Sequence, residues 1–83
     1  MDKDRFRGAT GIVTGASRGL GRLIAIALAE RGVNLALAAR TEDGLQETVS
    51  AVERHGVRAL SIRCDVTNKQ DLQNLVERAV TEL

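Results

Sequence analysis

Apolar residues in this chain recur in two alternating rhythms, and that alternation constrains the fold more than any other feature of the sequence. Thr10 to Thr14 is a short apolar run that ends in a glycine-rich turn, whereas Gly19 to Glu30 carries Leu20, Leu23, Ile24, Ala27 and Leu28 at helical spacing. Gly32 stands where a helix of that length would need a left-handed residue to stop it. Asn34 to Ala39 is then a continuous apolar run, the pattern of a strand buried on both faces of a parallel sheet. Thr41 is placed to cap a second helix and Glu42 and Asp43 to suit its positive first turn; Leu45, Val49 and Val52 line one face, and His55-Gly56 close it. A third strand is predicted from about Arg58 to Cys64. Thr67 and Gln70 form a capping box for a last helix, whose Leu72, Leu75, Val76, Ala79, Val80 and Leu83 repeat at helical intervals. The order β-α-β-α-β-α places the chain in the α/β class, as three β-α units of a doubly wound parallel sheet with right-handed crossovers.

Composition narrows what such a chain can do. With 83 residues there is room for one domain and a thin core, since a chain this short buries only about 60% of its unfolded surface. Tryptophan and tyrosine are absent and Phe6 is the single phenylalanine, so Leu, Ile, Val and Ala must do the packing. The net charge is +1 with the two signs interspersed, and there are no aromatic platforms for bases, which argues against nucleic acid as a partner. The lone Cys64 excludes an internal disulfide and any multi-cysteine metal site, and reads as small buried filler. The opening Met1 to Arg7 is charged with no apolar region behind it, unlike a secretion signal. The longest apolar run, Leu23 to Ala29, falls far short of the roughly 20 residues that span a bilayer, so no membrane is expected and a cytoplasmic location is.

The chemistry concentrates at the first strand-to-helix junction, Thr14-Gly15-Ala16-Ser17-Arg18-Gly19-Leu20-Gly21. Glycines there allow backbone angles and close approaches that a Cβ would block, and the following helix aims unsatisfied N–H groups and its positive dipole end at an anion. A diphosphate suits that arrangement. Three glycines near a helix start could equally form a tight turn and nothing more. Their setting, after a strand and within a βαβ unit of about 30 residues, is that of a nucleotide-binding turn.

The spacing Gly-x-x-x-Gly-x-Gly with a threonine ahead of it resembles the short-chain dehydrogenase/reductase family. Cys64-Asp65-Val66 after the third strand is similar to the family's Asp-Val pair at the adenine pocket, and the resemblance runs over nearly all of residues 8 to 83. It implies a Rossmann fold of which this chain is the N-terminal part, a nicotinamide cofactor and, in intact members, hydride transfer to or from a carbonyl or alcohol. Gly11 departs from the pattern, because the family usually carries a larger apolar residue in that strand.

Charge bears on which cofactor. An acidic residue at the end of the second strand would accept hydrogen bonds from the adenosine ribose and repel a 2′-phosphate. Here Ala39 looks like that position and Arg40 follows it, a guanidinium able to grip phosphate bidentately. Arg18 resembles the second basic position of NADP-preferring members, with Ser17 and Thr41 as nearby hydroxyl donors. Two solvated surface arginines are the plainer alternative, and NADP(H) is the expectation. Asp65 likewise has two roles open to it: accepting backbone bonds in a turn, or, as the resemblance implies, accepting from the adenine amino group while the Val66 backbone meets the ring edge. His55 ends a helix, where a partial positive charge is favourable, and carries no catalytic expectation. The predicted cofactor-binding set is Gly15, Ser17, Arg18, Gly19, Leu20, Gly21, Arg40, Thr41, Asp65 and Val66.

No catalytic residue and no metal ligand is expected here. In the family a tyrosine four residues ahead of a lysine acts as general acid and a serine orients the substrate. This chain has no tyrosine, and its lysines are Lys3 and Lys69. Two roles therefore follow: the cofactor-binding portion of a short-chain oxidoreductase whose catalytic residues lie outside this chain, or a stand-alone, non-catalytic nucleotide-binding or chain-docking module. With the usual strand order 3-2-1-4, the first strand would be an unprotected apolar edge, so pairing with a second copy or with a missing C-terminal half is expected.

Overall fold

The computed structural model describes residues 5–83; Met1 to Asp4, including Lys3, lie outside the described residues. Three strands and three helices alternate: β1 (Thr10–Thr14), α1 (Gly19–Glu30), β2 (Asn34–Ala39), α2 (Leu45–Glu53), β3 (Ala59–Arg63) and α3 (Lys69–Glu82). The strands form one parallel sheet in the order β1-β2-β3, with Thr14 opposite Ala38 and Ala39 opposite Arg63 at its C-terminal edge.

Strand alternation sends successive side chains of β2 to opposite faces, and each face has its own helices. Leu35, Leu37 and Ala39 pack with Ala25 and Ala29 of α1 and Leu45, Val49 and Val52 of α2. Ala36 and Ala38 pack on the other side with Ile62, Cys64, and Leu75 and Ala79 of α3. The sheet is thus covered on both faces, as the unbroken apolar run of β2 predicts. Small alanines of the central strand face α3, and aliphatic residues with Cys64 supply the core.

Helix ends follow local chemistry. Gly32, at φ 84°, closes α1 in a Schellman motif in which its N–H reaches the Ala29 carbonyl at 2.9 Å and the Val33 N–H reaches Leu28 at 3.2 Å. Gly11 is explained by its neighbours: a Cβ there would meet Leu35 Cδ2 and Val33 Cγ1, each at 3.3 Å, so side chains from the adjoining segment occupy the space a larger residue would fill.

Two predicted caps are corrected. Thr41 does not cap α2, which starts at Leu45 with Gly44 as its left-handed N-cap and no side-chain cap; Glu42 and Asp43 lie ahead of the first turn, whose acidic residue is Glu47. The loop runs further because Gly44 must reach the glycine turn, as described below. The capping box of Thr67 and Gln70 is replaced by Asn68, whose Oδ1 accepts from the Asp71 N–H at 3.0 Å, because Asp65 engages Thr67 instead. The strand β3 is shorter than predicted by one residue at each end.

Among the described residues, β1 pairs with β2 alone. Ile12 of β1, Leu20, Leu23 and Ile24 of α1, and Leu72, Val76 and Val80 of α3 are exposed. No helix among the described residues is long and apolar enough to cross a membrane.

Candidate functional site

The ten predicted site residues gather at the C-terminal ends of the strands, the edge at which open α/β sheets take ligands: seven stand on the three loops that leave the strands, and Gly19, Leu20 and Gly21 on the first turn of α1. Parallel pairing makes these loops neighbours. The Ala16 N–H continues the β1–β2 ladder by donating to the Ala38 carbonyl at 3.0 Å, and the Cys64 N–H does the same to Ala39 at 2.8 Å.

The first loop is a backbone cradle. Gly15 and Gly19 adopt φ of 63° and 58°, and a Cβ on either would project into open space rather than into protein. Gly21 has the opposite reason to be glycine: a Cβ there would stand 2.7 Å from the carbonyl carbon of Gly15 and closer still to its oxygen. The start of α1 therefore lies directly against the end of β1. Arg18 is the helix N-cap in an extended conformation and makes no side-chain cap, so the first N–H groups of α1 lack a side-chain acceptor from the chain. Open space at Gly15 and Gly19 beside a helix N-terminus suits the diphosphate of a dinucleotide.

The second loop begins where β2 ends. Ala39 is buried and leaves no carboxylate at this position, while Arg40 and Thr41 are exposed. Arg18 and Arg40 are both exposed, and neither joins the hydrogen bonds that hold Arg22, Arg58 and Arg78.

In the third loop Asp65 is engaged within its own turn. Its Oδ1 accepts from the Thr67 hydroxyl at 2.6 Å and the Thr67 N–H at 2.9 Å, and its N–H donates to Asp71 Oδ2 at 3.0 Å. The Thr67 hydroxyl and then its N–H hold the Asp65 carboxyl below its ordinary value, outweighing partial desolvation, with smaller help from the charges of Arg40 and Arg63. Arg40 thus acts electrostatically across to the third loop. Val66 is exposed beside it. Cys64 is buried, and loss of water contact, followed by the charges of Asp71 and Asp65, pushes its thiol up, which fits a packing role. His55 is exposed beyond α2, away from these loops.

Three residues outside the predicted set knit the first two loops together. Arg22 donates from Nε to Thr48 Oγ1 at 2.8 Å and from Nη2 to the Gly44 carbonyl at 3.0 Å and to the Ser17 carbonyl. Thr48 is fully buried and donates to the Ala16 carbonyl at 2.7 Å. The sequence held one signal for this. Thr48 falls three residues after Leu45 and four before Val52, on the stripe that α2 buries, so a polar side chain there requires a partner.

Residues 9–83 match the model of the short chain dehydrogenase family. A 7α-hydroxysteroid dehydrogenase of Escherichia coli is 33% identical over 82 residues, which are 99% of this chain and 32% of that protein. An NAD+-bound xylitol dehydrogenase superposes with a TM-score of 0.89 at 33% identity, covering 94% of this chain and 30% of the other. An alcohol dehydrogenase from Thermococcus sibiricus, complexed with 5-hydroxy-NADP, superposes with a TM-score of 0.83 at 32% identity over 90% of this chain and 32% of its own. The chain spans about a third or less of the length of the curated relatives it matches. Fold, glycine turn and sequence agree, and the chain belongs to the short-chain dehydrogenase family.

Proposed function

We propose that this chain is the NADP(H)-binding portion of a short-chain oxidoreductase that interconverts a carbonyl and an alcohol, the catalytic residues lying outside these 83 residues. The observation that carries the cofactor choice is the end of β2, where buried Ala39 stands in place of a carboxylate and exposed Arg40 follows it. Nothing there repels a 2′-phosphate, and Arg40 with Arg18 offers two guanidiniums for it. Gly15, Gly19, Leu20 and Gly21 would hold the diphosphate through the backbone at the start of α1, with Ser17 and Thr41 as hydroxyl donors. Asp65 and Val66 would meet the adenine. The turn role of Asp65 through Oδ1 is compatible with this, since a carboxylate has two oxygens and several acceptor sites. The nicotinamide of such a cofactor would give or take the hydride; this chain's share is to bind and orient its adenosine half.

Among the structural neighbours the xylitol dehydrogenase holds NAD+ and the Thermococcus enzyme 5-hydroxy-NADP, so the choice rests on this chain's own residues. Calorimetry with NADP(H) and NAD(H) tests it. Tighter binding of NADP(H) is expected, and the pair Ala39→Asp with Arg40→Leu should reverse the order by removing a phosphate partner and adding a carboxylate for the free ribose hydroxyl. Tighter binding of NAD(H) by the unmutated chain would overturn it.

The exposed edge of β1 and the apolar faces of α1 and α3 beside it point to association as well. A second copy, or the further strands of a full short-chain dehydrogenase fold, would cover them.

A further inference from the structure

Two exposed arginines on separate loops are a poor phosphate clamp unless the loops keep a fixed spacing, because ordering mobile loops on binding consumes affinity. Here the spacing is set by a third arginine. Arg22 rises from the first turn of α1 and is mostly shielded from solvent, its side chain 28% exposed. Its Nε and Nη2 are directed at protein acceptors: the Thr48 hydroxyl at 2.8 Å, the Gly44 carbonyl at 3.0 Å and the Ser17 carbonyl, with Glu47 Oε2 at 3.5 Å from Nη2. The Thr48 hydroxyl accepts from Arg22 and donates its own hydrogen bond to the Ala16 carbonyl at 2.7 Å. Gly44 completes the joint, because it has φ 81° and sits so close to the Ser17 carbonyl that no Cβ would fit. Ala16 and Ser17 belong to the loop that carries Arg18, and Gly44 to the loop that carries Arg40 and Thr41.

We propose that Arg22, acting through Thr48 and Gly44, is a positioning residue for the 2′-phosphate of the adenosine ribose: it locks the glycine turn to the β2–α2 loop and so fixes Arg18 against Arg40. This deepens the NADP(H) reading and rests on it. Arginine is needed rather than lysine, since three acceptors from two loops and a helix match a planar fork and not a point charge. Arg22 itself holds no phosphate in this arrangement.

The test uses the full chain with adenosine 2′,5′-bisphosphate and adenosine 5′-monophosphate, probes that differ only in the 2′-phosphate, together with amide hydrogen exchange at residues 15–18 and 40–44 in the absence of nucleotide. The variants are Arg22→Lys, Thr48→Val, which keeps the buried volume and loses the hydroxyl, and Thr48→Ser, which keeps the hydroxyl. In Arg22→Lys and Thr48→Val the preference for the bisphosphate should fall about fivefold to tenfold, the size of one ordinary hydrogen bond, and the loop amides should exchange faster while β2 stays protected. Thr48→Ser should retain both properties. An unchanged preference in either folded variant, or a loss of affinity that is equal for the two probes, overturns the positioning role. Should the native chain show no preference for the bisphosphate, the NADP(H) reading fails by itself. The lock then stands or falls on exchange alone, and equal rates in native and Thr48→Val would overturn it.

Discussion

Gly21→Ala separates what the glycine turn does for binding from what it does for stability. The added methyl would stand 2.7 Å from the Gly15 carbonyl carbon and 3.2 Å from the Ala16 Cα, whereas ordinary contact begins at 3.4 Å. Both neighbours are backbone, so no side chain can swing aside, and the start of α1 must move from the end of β1 by at least about 0.7 Å. Overpacking of this kind costs about 1–3 kcal/mol. Gly21 lies in the first turn of α1, where the gain of alanine over glycine in a helix interior does not apply in full, so the net loss of stability should be about 1–3 kcal/mol, or on the order of 10 °C in Tm for a domain of this size. Binding should suffer more. A hydrogen bond of about 2.9 Å stretched by 0.7 Å is no longer one, and each charge-assisted bond between the α1 N–H groups and a diphosphate contributes about 1.5–3 kcal/mol. Affinity for NADP(H) should therefore fall by at least about tenfold. Gly11→Ala is the control, because its methyl would meet only Leu35 Cδ2 and Val33 Cγ1 at 3.3 Å, both at the ends of side chains that can give. Thermal unfolding followed by calorimetry on both variants is the assay. If Gly21→Ala bound NADP(H) as tightly as the native chain, or Gly11→Ala lost as much affinity, the close approach would not be what shapes the phosphate cradle.

The chain alone should catalyse no carbonyl reduction with NADPH, since oriented acid–base groups contribute about 10²–10⁴-fold and it has no tyrosine to act as one; steady, ketone-dependent oxidation of NADPH by pure protein would refute this. The Asp65 carboxyl, held down first by the Thr67 hydroxyl, has a lower pKa folded than unfolded, so its turn supports the fold above the unfolded value and loses that support as pH falls through the folded one. Thr67→Ala should accordingly raise the Asp65 titration midpoint toward the ordinary carboxylate value, and an NMR titration that showed no change would remove the hydroxyl as its cause. Sedimentation at micromolar concentration should show self-association through the open side of the sheet, and a monomer with slow hydrogen exchange throughout β1 would sink that expectation.

Much of this fold is local in origin, and what is local was legible in the sequence. All six elements, the span of α1 and the Gly32 stop follow from hydrophobic period and glycine placement, because a helix or buried strand writes its repeat into neighbouring residues. The glycine turn and the Ala39-Arg40 pair are equally local, being a backbone requirement and the composition of a strand end. What the sequence alone misjudged were the caps at Thr41 and Thr67, where several hydroxyl, amide and carboxylate groups within a few residues compete for the same N–H groups and the outcome turns on loop geometry. Only the tertiary structure brought Arg22 onto Thr48 across 26 residues of chain and pressed Gly44 against Ser17. Those contacts depend on how α1 and α2 lie side by side on one face of the sheet. No local pattern encodes that spacing, and it is the packing of both helices on Leu35, Leu37 and Ala39 that sets it.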